Sequence, residues 1–134
     1  MNYVLDTNII TAILKDNALV KGKMSKAILD GDEIFLNAIS YYEIKRGLLA
    51  VNATKQLNLF IQFCRKFPVL FLDSMPIFDE AAGIYAHLQK AGTLIEDADI
   101  LIASVVKFKD FILVTDNTAH FQRIQDLKTD NWLS

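Results

Sequence analysis

The sequence predicts an α/β domain of three layers, a mostly parallel central sheet with helices on both faces, and three observations carry that expectation. Four short runs at 3–5, 34–36, 69–72 and 111–114 are apolar at consecutive rather than alternate positions, as strands buried on both faces are. The segments between them repeat apolar residues at helical spacing and carry helix start signals. Strands alternating with helices in this way fold as doubly wound sheets. With 134 residues, 5 Gly, 2 Pro and no repeat or low-complexity stretch, nothing marks a linker, and a single domain over residues 1–134 is expected.

Taken in order, the first strand leads into a short amphipathic helix carrying Ile9, Ile10, Ile13 and Leu14, then a second piece around Met24, Ile28 and Leu29. After the second strand, Ser40 followed by Glu43 forms a capping-box pattern that opens a helix through Ile44, Leu48 and Leu49. Thr54 can cap the next helix, with Leu57, Phe60, Ile61 and Cys64 on its apolar face. Ser74 with Pro76 just behind it starts another, carrying Phe78, Ala82, Tyr85 and Leu88 and ending near Gly92. A last long helix begins at Asp97 or Asp99 and runs through Ile102, Ala103 and Val106 to the fourth strand.

Charge and cysteine content narrow the functions available. Fourteen basic against 16 acidic residues give a formal charge of -2, which lacks the bulk positive field of a protein that coats nucleic acid. A polyanion would have to be held locally or through bound cations. One cysteine, Cys64, rules out an internal disulfide framework. The first apolar run meets Asp6 too soon for a signal peptide, and no apolar stretch reaches membrane-spanning length. A soluble cytoplasmic protein is therefore expected, with no membrane partner.

Ligands of parallel sheets bind beyond the carboxyl ends of the strands, and acids collect there. Asp6 follows the first strand in Leu5-Asp6-Thr7-Asn8, and Asp116 follows the fourth in Val114-Thr115-Asp116-Asn117. Glu43 lies one turn into the helix after strand two, and Asp97 and Asp99 open the late helix. Carboxylates brought together repel unless a cation sits among them. A set of oxygen ligands without His or Cys suits Mg²⁺ or Mn²⁺, and metal-dependent phosphodiester hydrolysis is the reaction such a site favours. Each acid also has a plainer role: Asp6 and Asp116 as caps or turn formers, Glu43 as half of the capping box, Asp97 or Asp99 as a cap. Thr7, Asn8, Ser40, Thr115 and Asn117 read as turn or supporting groups around the acids. His120 follows Asp116 by one turn, close to the site, whereas His87 reads as surface. Lys45 and Arg46 stand beside Glu43, within reach of a substrate phosphate. No Gly-rich phosphate loop is present.

Four motifs in order, Val4-Leu5-Asp6-Thr7-Asn8-Ile9, Ser40-Tyr41-Tyr42-Glu43-Ile44 with Gly47, Asp99-Ile100-Leu101-Ile102-Ala103 and Val114-Thr115-Asp116-Asn117, resemble the PIN-domain ribonucleases. Among these, the pattern is similar to the VapC-type toxins of bacterial toxin–antitoxin pairs. The resemblance continues through Phe121-Gln122-Arg123-Ile124 to Leu127 and Trp132, and departs from its relatives at Asp126, where they often carry Gly. It implies that Asp6, Glu43, Asp99 and Asp116 gather around Mg²⁺ or Mn²⁺ to cleave RNA, with Asp6 and Asp99 the main ligands. It selects Asp99 over Asp97 and leaves Asp97 and Glu96 as extra acids. It also implies a cognate antitoxin that blocks the site, and a homodimer formed through helices; the face of Ile77, Phe78, Ile84 and Tyr85 offers partner surface or core.

Rival readings fit less well. A receiver-like module with Asp73 as phosphoryl acceptor wants an acidic pair after strand one and a Lys after the last, where Asp6-Thr7 and Thr115-Asp116 stand. A phosphatase with Asp6 as nucleophile wants an acid at Asn8. A non-catalytic PIN-like module that binds nucleic acid or a protein is the remaining alternative.

Overall fold

The computed structural model describes residues 1–134. Its elements run β1 (Asn2–Leu5), α1 (Thr7–Leu14), α2 (Ala18–Leu29), β2 (Glu33–Asn37), α3 (Ala38–Ala50), α4 (Thr54–Cys64), β3 (Val69–Leu70), α5 (Met75–Lys90), α6 (Asp97–Lys109), β4 (Ile112–Val114), α7 (Thr118–Phe121) and β5 (Lys128–Asp130). The five strands form one sheet in the order β3-β2-β1-β4-β5. Every pairing is parallel, so the expected mostly parallel sheet is wholly parallel.

The central strand divides the interior. Successive side chains of a strand face opposite ways, and the fully buried pair Val4 and Leu5 enters two different cores. Val4 packs with Ile77, Leu88, Ile102 and Leu113 under α5 and α6. Leu5 packs with Ile9, Ile10, Val20, Phe60 and Phe63 under α1, α2 and α4. Helices therefore cover both faces of the sheet, and the three-layer expectation holds.

Several elements differ from their sequence reading. The capping box at Ser40 is replaced by an earlier start: Asn37 is the N-cap of α3 and its Oδ1 accepts from the Ser40 backbone N at 2.8 Å. Ser40 thus lies inside the helix, and Glu43 is released from a capping role. Thr54 is the first residue of α4 rather than its cap, and Ser74 occupies the cap position of α5 without a side-chain bond. The residue preceding α6 is Glu96, so neither Asp97 nor Asp99 caps it. On α5 the buried stripe is Ile77, Ala81, Ile84 and Leu88. Phe78, Ala82 and Tyr85, read as its apolar positions, are exposed, so the face left open between core and partner surface divides: Ile77 and Ile84 are core, Phe78 and Tyr85 surface. On α2 the buried residues are Val20 and Ala27, while Ile28 and Leu29 face solvent. Strand β5, Lys-Thr-Asp, was not expected at all, because a short polar edge strand carries no apolar signal.

The turns explain one departure noted above. Asp126 adopts φ 63°, a left-handed conformation that Gly enters without cost and Asp tolerates.

Asn37 holds two elements at once. Fully buried, its Nδ2 donates to the Leu5 carbonyl at 2.9 Å and to Ser40 Oγ at 3.0 Å, while its Oδ1 caps α3. Replacement by Ala removes a helix cap and strands a buried carbonyl, so Asn37→Ala is expected to lose about 2–4 kcal/mol in urea unfolding. Asn37→Asp, which keeps the cap acceptor but sets a buried carboxylate against the Leu5 carbonyl, is expected to lose at least as much at neutral pH.

Candidate functional site

The carboxyl ends of β1 and β4 and the first turns of α1, α3 and α6 meet at one end of the sheet, and their polar side chains build the site. Asp6 ends β1 and caps α1. It is 4% exposed, so each oxygen needs a partner. Oδ1 accepts from the Thr7 backbone N at 2.8 Å, and Oδ2 accepts from Thr115 Oγ1 at 2.8 Å and from Asn8 Nδ2 at 3.4 Å. Burial raises the Asp6 pKa above its ordinary value; the Thr115 and Thr7 bonds pull it back, and the Glu43 charge raises it further.

Glu43 is reached through a relay of hydroxyls. Thr7 Oγ1 lies 2.8 Å from both Ser40 Oγ and Glu43 Oε1. A threonine hydroxyl has one hydrogen and an ionised carboxylate has none. Thr7 therefore donates to Glu43 and accepts from Ser40, whose oxygen in turn accepts from Asn37 Nδ2. The chain from Asn37 to Glu43 fixes the carboxylate's direction without neutralising it.

Asp99, in the first turn of α6, has its pKa pushed up to about 6. Burial is the main cause, followed by the negative charges of Asp6 and Glu96; His120 opposes the shift and Glu43 adds to it. Asp6, Glu43 and Glu96 thus all bear on Asp99, and Glu43 bears on Asp6 as well. Asp116 is placed differently: exposed, it accepts from Asn131 Nδ2 at 3.2 Å, and its backbone N donates to Asn8 Oδ1 at 3.1 Å. Asp97 is exposed on the first turn of α6.

The surrounding polar groups tie these acids together. Thr115, fully buried, donates to Asp6 and accepts from the Asn117 backbone N at 3.0 Å. Asn117 Nδ2 also meets His120 Nδ1 at 2.7 Å. Lys45, by contrast, donates to the Tyr41 hydroxyl at 3.1 Å and Arg46 sits over the Tyr42 ring. Sequence reading passed over Asn37, although an Asn at a strand end three residues before a Ser is a recognisable cap signal.

The donor set fits a hard divalent cation. It consists of carboxylate, hydroxyl and amide oxygens, and the raised Asp6 and Asp99 mark negative charge that a cation would relieve. No three of the Asp, Glu, His and Cys side chains close into a cage. Mg²⁺ is bound in the same open manner, by one or two carboxylates with waters completing its shell.

Comparison with known proteins follows the same lines. A family model described as PIN domain matches residues 3–127. Ribonuclease VapC of Rickettsia bellii is 31% identical, with 96% of this chain and 94% of that protein covered. Ribonuclease VapC1 of Haemophilus influenzae strain R2866 is 28% identical over 98% of both. Among solved structures, VapBC-1 from nontypeable Haemophilus influenzae superposes with a TM-score of 0.88 at 27% identity, covering 100% of each chain.

The electrostatics carry a stability consequence. The Asp99 pKa in the folded chain lies above its ordinary 3.8, so folding favours the protonated acid. That contribution is complete below about pH 4 and is lost as pH rises through about 6. In metal-free buffer at pH 7.5, Asp99→Asn is expected to gain on the order of 1–2 kcal/mol over wild type, a figure reduced for the solvent that still reaches the group. At pH 4 the two proteins should unfold at the same urea concentration.

Proposed function

The chain belongs to the PIN domain family, and from that premise we propose that it is an endoribonuclease dependent on a divalent metal, the toxin of a toxin–antitoxin pair. Relatives named as VapC ribonucleases support the activity, and the resemblance of the four acidic motifs to VapC-type toxins supports the partner. Residues 1–134 act as one PIN-like unit in this reading, and Mg²⁺ or Mn²⁺ is the ion. The single observation that carries it is the gathering of three acids at the carboxyl end of a parallel sheet, Asp6 linked to Glu43 through Thr7 and to the neighbourhood of Asp99 through Thr115, Asn117 and His120.

Each residue has a distinct task. Asp6 and Asp99 are the main metal ligands, Asp6 held rigid by Thr7, Asn8 and Thr115. Glu43, aimed by Thr7 and Ser40, completes the negative pocket. Asp116 lies on the rim, where it acts directly or through water. Asn117 steadies Thr115, and Asp97 serves only as surface charge. A bound divalent ion supplies charge neutralisation for the phosphate and lowers the pKa of an attacking water. The protein's own part is to orient these oxygens before the substrate arrives and to present a phosphodiester in line with the attack. Lying outside a basic surface, the RNA is held chiefly at this point, which agrees with the net charge of -2. A cognate antitoxin and a homodimer remain part of the proposal.

Purified protein incubated with labelled structured and single-stranded RNA should cut it when Mg²⁺ or Mn²⁺ is present and cease to cut when EDTA is added. Asp6→Asn and Asp99→Asn should each lower the rate about 100-fold or more. Wild type and both variants leaving the RNA equally intact would remove the basis for the nuclease. Ser40→Ala, which breaks the relay to Glu43 without touching substrate, should cost about 10-fold, and Asp97→Asn should leave the rate unchanged.

A further inference from the structure

The ring of His120 stands beside the acidic pocket with one nitrogen engaged and one free. Its Nδ1 meets Asn117 Nδ2 at 2.7 Å, whereas the nearest Asp99 oxygen is 3.7 Å from the same nitrogen, beyond hydrogen-bond reach. An amide nitrogen only donates, so Nδ1 offers its lone pair and the neutral ring carries its hydrogen on Nε2. The backbone of Asn117 is anchored where its amide can reach the ring, because its N donates to Thr115 Oγ1, which donates to Asp6. The histidine's orientation is thereby tied to the most buried carboxylate of the site. Its Nε2–H has no protein partner, and the side chain is 42% exposed.

We propose that His120 contacts the scissile phosphate, donating from Nε2–H to a non-bridging oxygen, with Asn117 fixing the tautomer that makes this possible. The inference rests on the phosphodiesterase reading above and adds a solvent-facing neutral donor to a site whose other neutral donors, Thr7, Asn8 and Thr115, are spent on its own carboxylates. The nearby cations are turned to other partners: Lys45 donates to the Tyr41 hydroxyl and Arg46 lies over the Tyr42 ring. Water satisfies Nε2–H in the free protein. A phosphate oxygen replaces that water with a charge-assisted bond. Because the bond strengthens as negative charge grows on the oxygens, it favours the transition state over the ground state.

Two measurements test the proposal, the first independent of any cleavage. A long-range proton–nitrogen NMR spectrum of the nitrogen-labelled protein at pH 8 should show the His120 ring as the Nε2–H tautomer, and its Nε2 resonance should move on titration with 5′-AMP in Mg²⁺. An Nδ1–H tautomer, or an Nε2 resonance unmoved at saturating 5′-AMP, overturns the inference. The second compares variants that place an amide donor differently. His120→Gln reaches the position of Nε2 and should keep both 5′-AMP affinity and cleavage close to wild type, while His120→Asn and His120→Ala should lose about 10- to 100-fold, chiefly in kcat, at unchanged melting temperature. His120→Asn matching wild type while His120→Gln fails would assign the role to Nδ1 and defeat the proposal. Should the wild type cut no RNA, the functional reading fails, whereas tautomer and 5′-AMP titration still decide the role of His120.

Discussion

The buried amide of Asn37 is the constraint on which the site's geometry depends. A parallel strand and the helix after its neighbour have no backbone bonds in common, and here a side chain ties them directly. Asn37 does this by donating to the last carbonyl of β1 while capping α3. Its second donation reaches Ser40, from which hydroxyls lead to Thr7 and Glu43. Fold and chemistry therefore share one hydrogen-bond network, and a disturbance of either is felt by the other.

Against that scaffold, the acids are held in a state that is unfavourable on its own. Asp6 is almost wholly buried and remains paired only with neutral donors. Asp99 feels Asp6, Glu96 and Glu43, with the His120 ring opposing them. Neutral donors orient a carboxylate while leaving its charge to be used. A lysine or arginine inserted at the same place would have stabilised the fold and filled the position a cation needs. Strain of this kind at a functional site is offset by the two large apolar cores on either side of the sheet.

Legibility in the sequence followed burial. Strands β1, β2 and β4 could be read because apolar residues occupy consecutive positions in an interior environment, and helices α1 and α6 because their stripes meet core on a broad front. Reading failed where burial was one-sided or absent. Strand β5 is polar at an edge, and Phe78 and Tyr85 are large apolar side chains that lie outside the core. At the site, the positions of Asp6 and Asp99 followed from strand and helix ends. The spacing of Ser40 and Glu43 was misleading, because a pattern four residues long fits a helix start and a helix interior alike; the cap at Asn37, three residues earlier, separates them. The positions of Asp116 and His120 could be read from the strand end and one helical turn, but the directions of their side chains could not. Their directions are set by Asn131 and Asn117, contacts that no local pattern encodes.

The sheet's margins bear on how this molecule can associate. One outer strand, β3, has two residues and the other, β5, has three, with Lys128 on β5 paired to Asp110 at 2.9 Å. A visiting extended peptide would find too few free amides and carbonyls along either margin to lengthen the sheet. Recognition by another chain is thereby directed onto the helices, where side-chain shape rather than backbone pairing decides what is accepted. Backbone pairing is indifferent to sequence and side-chain fit is not, so the brevity of two strands makes this molecule selective in its company.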